Sequence, residues 1–144
     1  MKKVILIGLI LASVLIISGC KMKATMYPVS GPLVDSGQAK PIPVEYSWDG
    51  SGHGKITFYM PDGEVCQGEY TTIAGVNLTT IFTYDQFSSY YGSGFSTSSK
   101  QHGQAIAYGN SGTVLQAEYF VDAMTFHGYG LAKDNKNNMY KLMW

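Results

Sequence analysis

The sequence predicts an all-β domain: an antiparallel sheet or small open barrel built from repeated β-hairpins. Three observations carry this. From Val44 onward, apolar and polar residues alternate between clusters of Gly, Asn, Asp and Ser, which is the pattern of short strands joined by tight turns. The composition agrees, with 17 glycines and 11 tyrosines among 144 residues. Finally, a unit that opens on His-Gly and closes on an aromatic recurs in register without gaps.

The chain starts with a different kind of segment. Lys2 and Lys3 give a positive start, and Val4 to Ile17 is a near-unbroken apolar run, short for a membrane span. The run ends in Ile17-Ser18-Gly19-Cys20, which resembles the lipobox of bacterial lipoproteins. The resemblance implies cleavage between Gly19 and Cys20, a thioether lipid on Cys20, and palmitate-type acylation of the new amine. Each buried methylene of such an anchor contributes about 0.8 kcal/mol, and more than one chain holds stably. Residues 1–19 are therefore expected to be a signal peptide, and the membrane is expected as a partner through Cys20. Lys21 stands where an aspartate would mark inner-membrane retention in enteric bacteria. The expected residence is the cell envelope, on the periplasmic side of the outer membrane.

Residues 20–43 hold four of the five prolines and no sustained periodicity. They read as the lipidated cysteine followed by a flexible tether, with residues 27–33 able to dock back. As a coil this stretch would reach about 25–30 Å. Residues 44–144 read as a single β domain.

Each repeat is a hairpin. His53-Gly54-KITFYMPDGEVCQGEY and His102-Gly103-QAIAYGNSGTVLQAEY share His, Gly, Tyr, Gly, Val, Gln, Glu and Tyr in register. A third copy, His127-Gly128-YGLAKDNKNNMYKLMW, places Trp144 where Tyr70 and Tyr119 fall. Pro61-Asp62-Gly63, Asn110-Ser111-Gly112 and Asn135-Lys136-Asn137 supply turns in which Gly or Asn tolerates positive φ. Alternation puts Cys66, Gly68 and Tyr70 on one face of the return strand, and Val65, Gln67 and Glu69 on the other. Leu115 and Tyr140 occupy the Cys66 position in the other copies, so Cys66 reads as a small core residue. The offsets of 49 and 25 residues suggest a degenerate unit near 78–95. That stretch reads equally as a short helix from Thr80 to Ser88, or as a loop.

The first unit resembles a MORN repeat, a hairpin module with a His-Gly opening, an Asp-Gly turn and an aromatic close. His53, Gly54, Lys55, Pro61, Asp62, Gly63, Gly68 and Glu69 carry that resemblance. The mature chain is also similar to an uncharacterised group of bacterial lipoproteins through YPVSGPL, DGEVCQGEY, YGSGF, GTVLQAEY and GLAKDNKNNMYKL. This second resemblance implies fold and location, and no chemistry.

Several chemistries fit poorly. All ten basic residues are lysine, and two of them lie in the signal segment, leaving eight against ten carboxylates. Without arginine, nucleic acid is not an expected partner. His53, His102 and His127 occupy equivalent repeat positions, which a regular sheet holds roughly 10 Å apart. A shared metal site is therefore not expected unless the sheet closes, and the histidines read as turn-entry residues. Asp134-Asn135-Lys136-Asn137-Asn138 puts Lys136 where a calcium ligand belongs, and it reads as a polar turn. No GxSxG elbow or phosphate-cradling glycine loop is present, and no cofactor is expected. The leading expectation is a non-enzymatic envelope lipoprotein that binds a protein or glycan. Its candidate surface is Glu69, Glu118, Tyr59 and Tyr108, since tyrosines give contact area at low entropy cost. The second expectation is a small envelope hydrolase of glycan or peptide using Glu69, Glu118 or Cys66.

Overall fold

The computed structural model describes residues 20–48, 50–74 and 100–144. Its strands are β1 (Cys20–Ser30), β2 (Ile42–Trp48), β3 (His53–Tyr59), β4 (Val65–Ala74), β5 (Lys100–Gly109), β6 (Val114–Asp122), β7 (Gly128–Asp134) and β8 (Met139–Met143). A single turn of helix, α1 (Pro32–Asp35), joins β1 to β2. Each strand pairs antiparallel with its neighbour in sequence, and β1 also pairs with β8. The all-β reading holds, and the sheet closes into a barrel. Closure leaves no strand edge unpaired.

Two expectations are corrected. The stretch read as a tether begins with a strand: Cys20 to Met26 run in register with Trp48 to Ile42, and Thr25 to Ser30 with Met143 to Met139. Met22, Ala24 and Met26 alternate with Lys21, Lys23 and Thr25, a period-two signal in which threonine and lysine stand in for the usual polar residues. Pro28 is accommodated at a register shift between Pro28 and Ser30. The β domain thus begins at residue 20, not 44. Second, the sheet closes, and the degenerate unit, short helix or loop expected near 78–95 lies outside the described residues. β4 pairs directly with β5, from Cys66↔Gly109 to Ala74↔Gln101. The fourth hairpin of the barrel is β1–β2, ahead of the repeats.

Closure gives the molecule two unlike ends. At one end are α1 and the turns of β3–β4, β5–β6 and β7–β8; at the other are Cys20, residues 50–52, residues 123–127 and Trp144. The first end and the middle are packed with Met26, Ile42, Val44, Phe58, Cys66, Leu115, Tyr140 and Leu142, all buried. Small residues Ala107, Ala117 and Ala132 on β5–β7 face these large ones and let the taper fill. Each large side chain contributes roughly 1.5–3 kcal/mol by burial.

The turn end is also welded by polar groups. The residue after each turn, Glu64, Thr113 or Asn138, is buried. The turn residue before it, Gly63, Gly112 or Asn137, has φ of 87°, 91° or 67°, the left-handed region that Gly and Asn reach most easily. The Glu64 carboxylate accepts from Ser111 N at 2.7 Å and from the Thr113 hydroxyl, tying one turn to the next. Asp134 accepts from Asn138 N at 2.8 Å and from the Tyr140 hydroxyl at 2.6 Å, while Asn138 accepts from Leu33 N at 2.9 Å. The Asp134 segment is therefore a polar turn whose carboxylate points inward to cap its own hairpin. Lys136 lies 3.6 Å from Glu64.

Candidate functional site

Eight-stranded barrels have interiors that side chains just fill, or that hold one small ligand. Among the described residues, this one is filled at the turn end and open at the other. The opening leads into a cavity of about 630 Å³ lined by Met22, Ala24, Val44, Ile56, Val121 and Leu142 together with aromatic residues. That volume lies within the roughly 300–1,000 Å³ of small-molecule sites, which favour the mouths of β-barrels.

The aromatic residues form a closed circuit. Ring centroids are 5.8 Å apart for Tyr46–Tyr70, 6.5 Å for Tyr70–Tyr119, 5.5 Å for Tyr119–Trp144 and 6.5 Å for Trp144–Tyr46, all edge-to-face. Each hairpin supplies one ring, from its second strand. In the three repeat copies the ring sits opposite the glycine of the His-Gly opening: Gly54↔Tyr70 and Gly103↔Tyr119 are in register, and Gly128 exchanges two backbone hydrogen bonds with Trp144. A Cβ on Gly103 would come within 2.2 Å of the Tyr119 ring, and one on Gly128 within 2.2 Å of the Trp144 indole. The His-Gly signature and the closing aromatic are thus one device, in which glycine makes room for the ring that lies across the barrel wall. The first hairpin has Met22 opposite Tyr46 and no glycine.

Two of the hydroxyls are committed elsewhere. Tyr70 donates to Ser47 O at 2.6 Å, and Tyr119 donates to Thr71 O at 3.2 Å and meets Thr72 Oγ1 at 2.9 Å. These bonds fix the rings and leave apolar faces toward the lumen. Burial raises the Tyr119 hydroxyl above its ordinary value, as it does for Tyr46. The Tyr46 hydroxyl and the Gln101 amide make no hydrogen bond among the described residues. Both border the cavity, so they are among the polar groups a bound molecule could meet.

At the mouth, Trp48 and Phe126 lean edge-on at 5.9 Å. Phe126 has φ of 58°, an unusual conformation for a bulky residue. The Asp122 carboxylate holds the turn by accepting from Met124 N at 2.9 Å and Thr125 N at 3.0 Å. Such outliers persist where the surroundings over-determine them and tend to mark ligand clamps.

The residues singled out from sequence lie elsewhere. Glu69, Glu118, Tyr59 and Tyr108 are on the outer wall, on four different strands. Glu69 and Glu118 flank β5, two strands or roughly 10 Å apart, too far for one metal ion; a shallow outer depression reaches from Glu69 across β5 to Gln116 and does not include Glu118. Tyr59 donates to Glu45 at 3.1 Å, which raises its hydroxyl. Tyr108 is exposed on β5. Barrel closure does not gather the histidines: His53 and His127 are exposed, while His102 is buried, its Nε2 2.5 Å from Glu118 Oε1. His102 is therefore a wall residue hydrogen-bonded to Glu118, not a turn-entry residue, and no serine, threonine or cysteine hydrogen-bonds to its ring among the described residues. Cys66 is fully buried beside Gly109, as its repeat partners suggest, and burial foremost pushes its thiol up to about 11. A thiol so raised stays protonated at neutral pH and is a poor nucleophile.

Sequence reasoning found the closing aromatics Tyr70, Tyr119 and Trp144 as inward residues. It missed that their faces border a cavity, and it missed Tyr46, Trp48, Gln101 and Phe126. The usable signal was the pairing of each closing aromatic with an opening glycine. Compared with family models, curated proteins and solved structures, the chain matches none.

Proposed function

We propose that this protein is a lipid-anchored envelope lipoprotein that binds one small, mostly apolar molecule in its barrel, without catalysis. The observation that carries the reading is the aromatic circuit above a packed floor: a lumen that is apolar, deep and open at one end. The Tyr46 hydroxyl and the Gln101 amide border it without a partner among the described residues, which suits a ligand with an apolar body and a small polar part. The anchor part rests on Lys2, Lys3, the apolar run and Ile17-Ser18-Gly19-Cys20. The outer wall supports a barrel beside the membrane rather than through it, since Lys23, Lys55, Glu69 and Gln116 face outward and are exposed. A membrane-spanning barrel needs an apolar belt there.

The chain contains two tryptophans, and both border the cavity. Titrating the purified protein with a long-chain fatty acid should therefore give a saturable, one-to-one change in tryptophan emission. Trp48→Phe should keep the part of the change that arises at Trp144. A flat titration in both proteins would refute lumen binding.

A further inference from the structure

We infer that the mouth of the barrel is itself a bilayer-docking surface: Trp48, Met124 and Phe126 enter the headgroup–acyl boundary, so that the lumen opens onto lipid and not onto water. This rests on the anchored reading above and adds an orientation to it.

Four observations converge. Met124 is 82 % exposed, and Trp48 and Phe126 are each about half exposed at the same end. Exposed apolar residues gathered at one rim call for a partner, whereas scattered ones do not. Trp and Phe are also suited to the membrane interface, where an amphipathic or apolar ring sits at headgroup level.

The second observation is the path of the chain. Cys20 pairs with Trp48, so β1 starts at the rim. The residues before it contain the apolar run Val4–Ile17, and no slack separates Cys20 from the barrel. Whatever holds the N-terminus to the membrane therefore holds the mouth there too. A tether of the length expected from the prolines would have allowed any orientation; a strand does not.

Third, the backbone at Phe126 adopts a left-handed conformation that a bulky residue rarely takes, and Asp122 locks the turn. The Asp122 carboxylate is thereby turned back into the turn by two backbone donors, away from its role as a free surface charge. The turn holds Met124 and Phe126 beyond the last paired residues of β6 and β7.

Fourth, charge favours the same face. Lys21 and Lys23 lie on the outer wall of β1, within about 10 Å of the rim at the rise of a strand. Among the described residues, Lys21 has one ionic partner, Glu45 at 3.7 Å, a largely exposed pair that is weak in water. Both lysines are placed to meet anionic headgroups.

The test uses the full lipid-bearing protein on phosphatidylethanolamine–phosphatidylglycerol vesicles. An environment-sensitive fluorophore is placed at Met124→Cys or, as the control at the far end, at exposed Asn110→Cys; Cys66 is buried and takes no label. A spin-labelled lipid with its nitroxide high in the acyl chain should quench the label at 124 and leave that at 110 unchanged, with iodide doing the reverse. Met124→Asp should halve or better the quenching of Trp48 by the same lipid. Its ligand titration in solution should not change, because Met124 does not line the cavity. Protein that floats with the vesicles while both labels stay in water refutes docking and leaves the anchor intact. Protein that fails to float removes anchor and docking together. A label at 124 shielded from iodide but untouched by the lipid quencher means that protein covers the rim, and this too overturns the proposal.

Discussion

The two ends of the barrel are built from the same repeat, yet they do opposite work. At the turn end, positions equivalent to Glu64 hold buried polar groups that bond from hairpin to hairpin, above a floor of buried apolar side chains. At the mouth, positions equivalent to Tyr70 hold rings that enclose space, with Tyr70 and Tyr119 anchored by their hydroxyls to Ser47 and Thr71 of the preceding hairpin. The comparison teaches that one hairpin, repeated around a closed sheet, can weld one rim and leave the other free to bind. Hydrogen bonds cross between hairpins at both ends, from buried carboxylates at the turn end and from tyrosine hydroxyls at the mouth; what differs is that the ring faces at the mouth border open space.

The largest expected effect comes from removing both ends' support at once. Deleting residues 139–144 takes away β8, which pairs with β7 and β1, together with Tyr140, Leu142 and one ring of the circuit. The truncated protein is expected to lose cooperative melting altogether, because two strand edges and most of the floor become exposed. A cooperative melt within a few degrees of the parent would show that closure contributes little.

Glu64→Gln sharpens the contrast from the turn end. It weakens charge-assisted bonds to Ser111 and Thr113, at a cost of about 1.5–3 kcal/mol in urea unfolding, and should leave ligand titration unchanged. The same bonds, that from Thr113 first, hold the Glu64 carboxyl below its ordinary value of 4.5. A lowered folded value means the stabilisation is present above the unfolded value and is lost as pH falls through the folded one. The difference in melting temperature between parent and variant should therefore be constant near neutrality and shrink below about pH 4.5. A difference that grows on acidification would reverse the assignment.

Gly103→Ala acts at the mouth. The added methyl displaces the Tyr119 ring, with an overpacking cost of about 1–3 kcal/mol, and should weaken ligand binding as well, which Glu64→Gln does not. Unaltered emission changes on titration would mean that the ring circuit does not shape the lumen. Smallest of these is Tyr46→Phe, which removes a hydroxyl without a partner among the described residues. Stability should move by less than about 1 kcal/mol, while affinity for a fatty acid should fall relative to that for a ligand with no polar group. Equal affinities would take Tyr46 out of the site.

Much of the floor was legible in sequence. The repeat placed Cys66, Leu115 and Tyr140 on one face and located three turns, because hairpins print their turn chemistry and alternation locally. β1 was not legible, because prolines at 28, 32, 41 and 43 dominate the reading of residues 20–43. Its alternation of Met22, Ala24 and Met26 with Lys and Thr gains meaning only once β2 and β8 lie on either side. The cavity was also hidden. An inward aromatic looks the same in sequence whether its far face meets another side chain or empty space, and that depends on the diameter set by closure. Glu69, Glu118, Tyr59 and Tyr108 were chosen by residue type, and alternation does send them outward, but onto a convex wall.

The seam between β1 and β8 has a consequence in time. Seven of the eight ladders join strands that follow one another in the chain, whereas the seam brings Thr25 to Met143. Local pairings form fast, and distant ones wait for the entropy of closing a long loop. Assembly should therefore run as a growing ribbon that curls and zips last along β1 and β8. Until it zips, Met26 and Leu142 lie along two open edges that can pair with other chains. Because Cys20 opens β1, fixing that residue to a membrane would hold one edge in place while the other arrives. Pulsed hydrogen exchange during refolding would show this order directly, with the amides that bond across the β1–β8 seam gaining protection after those bonded within the hairpins.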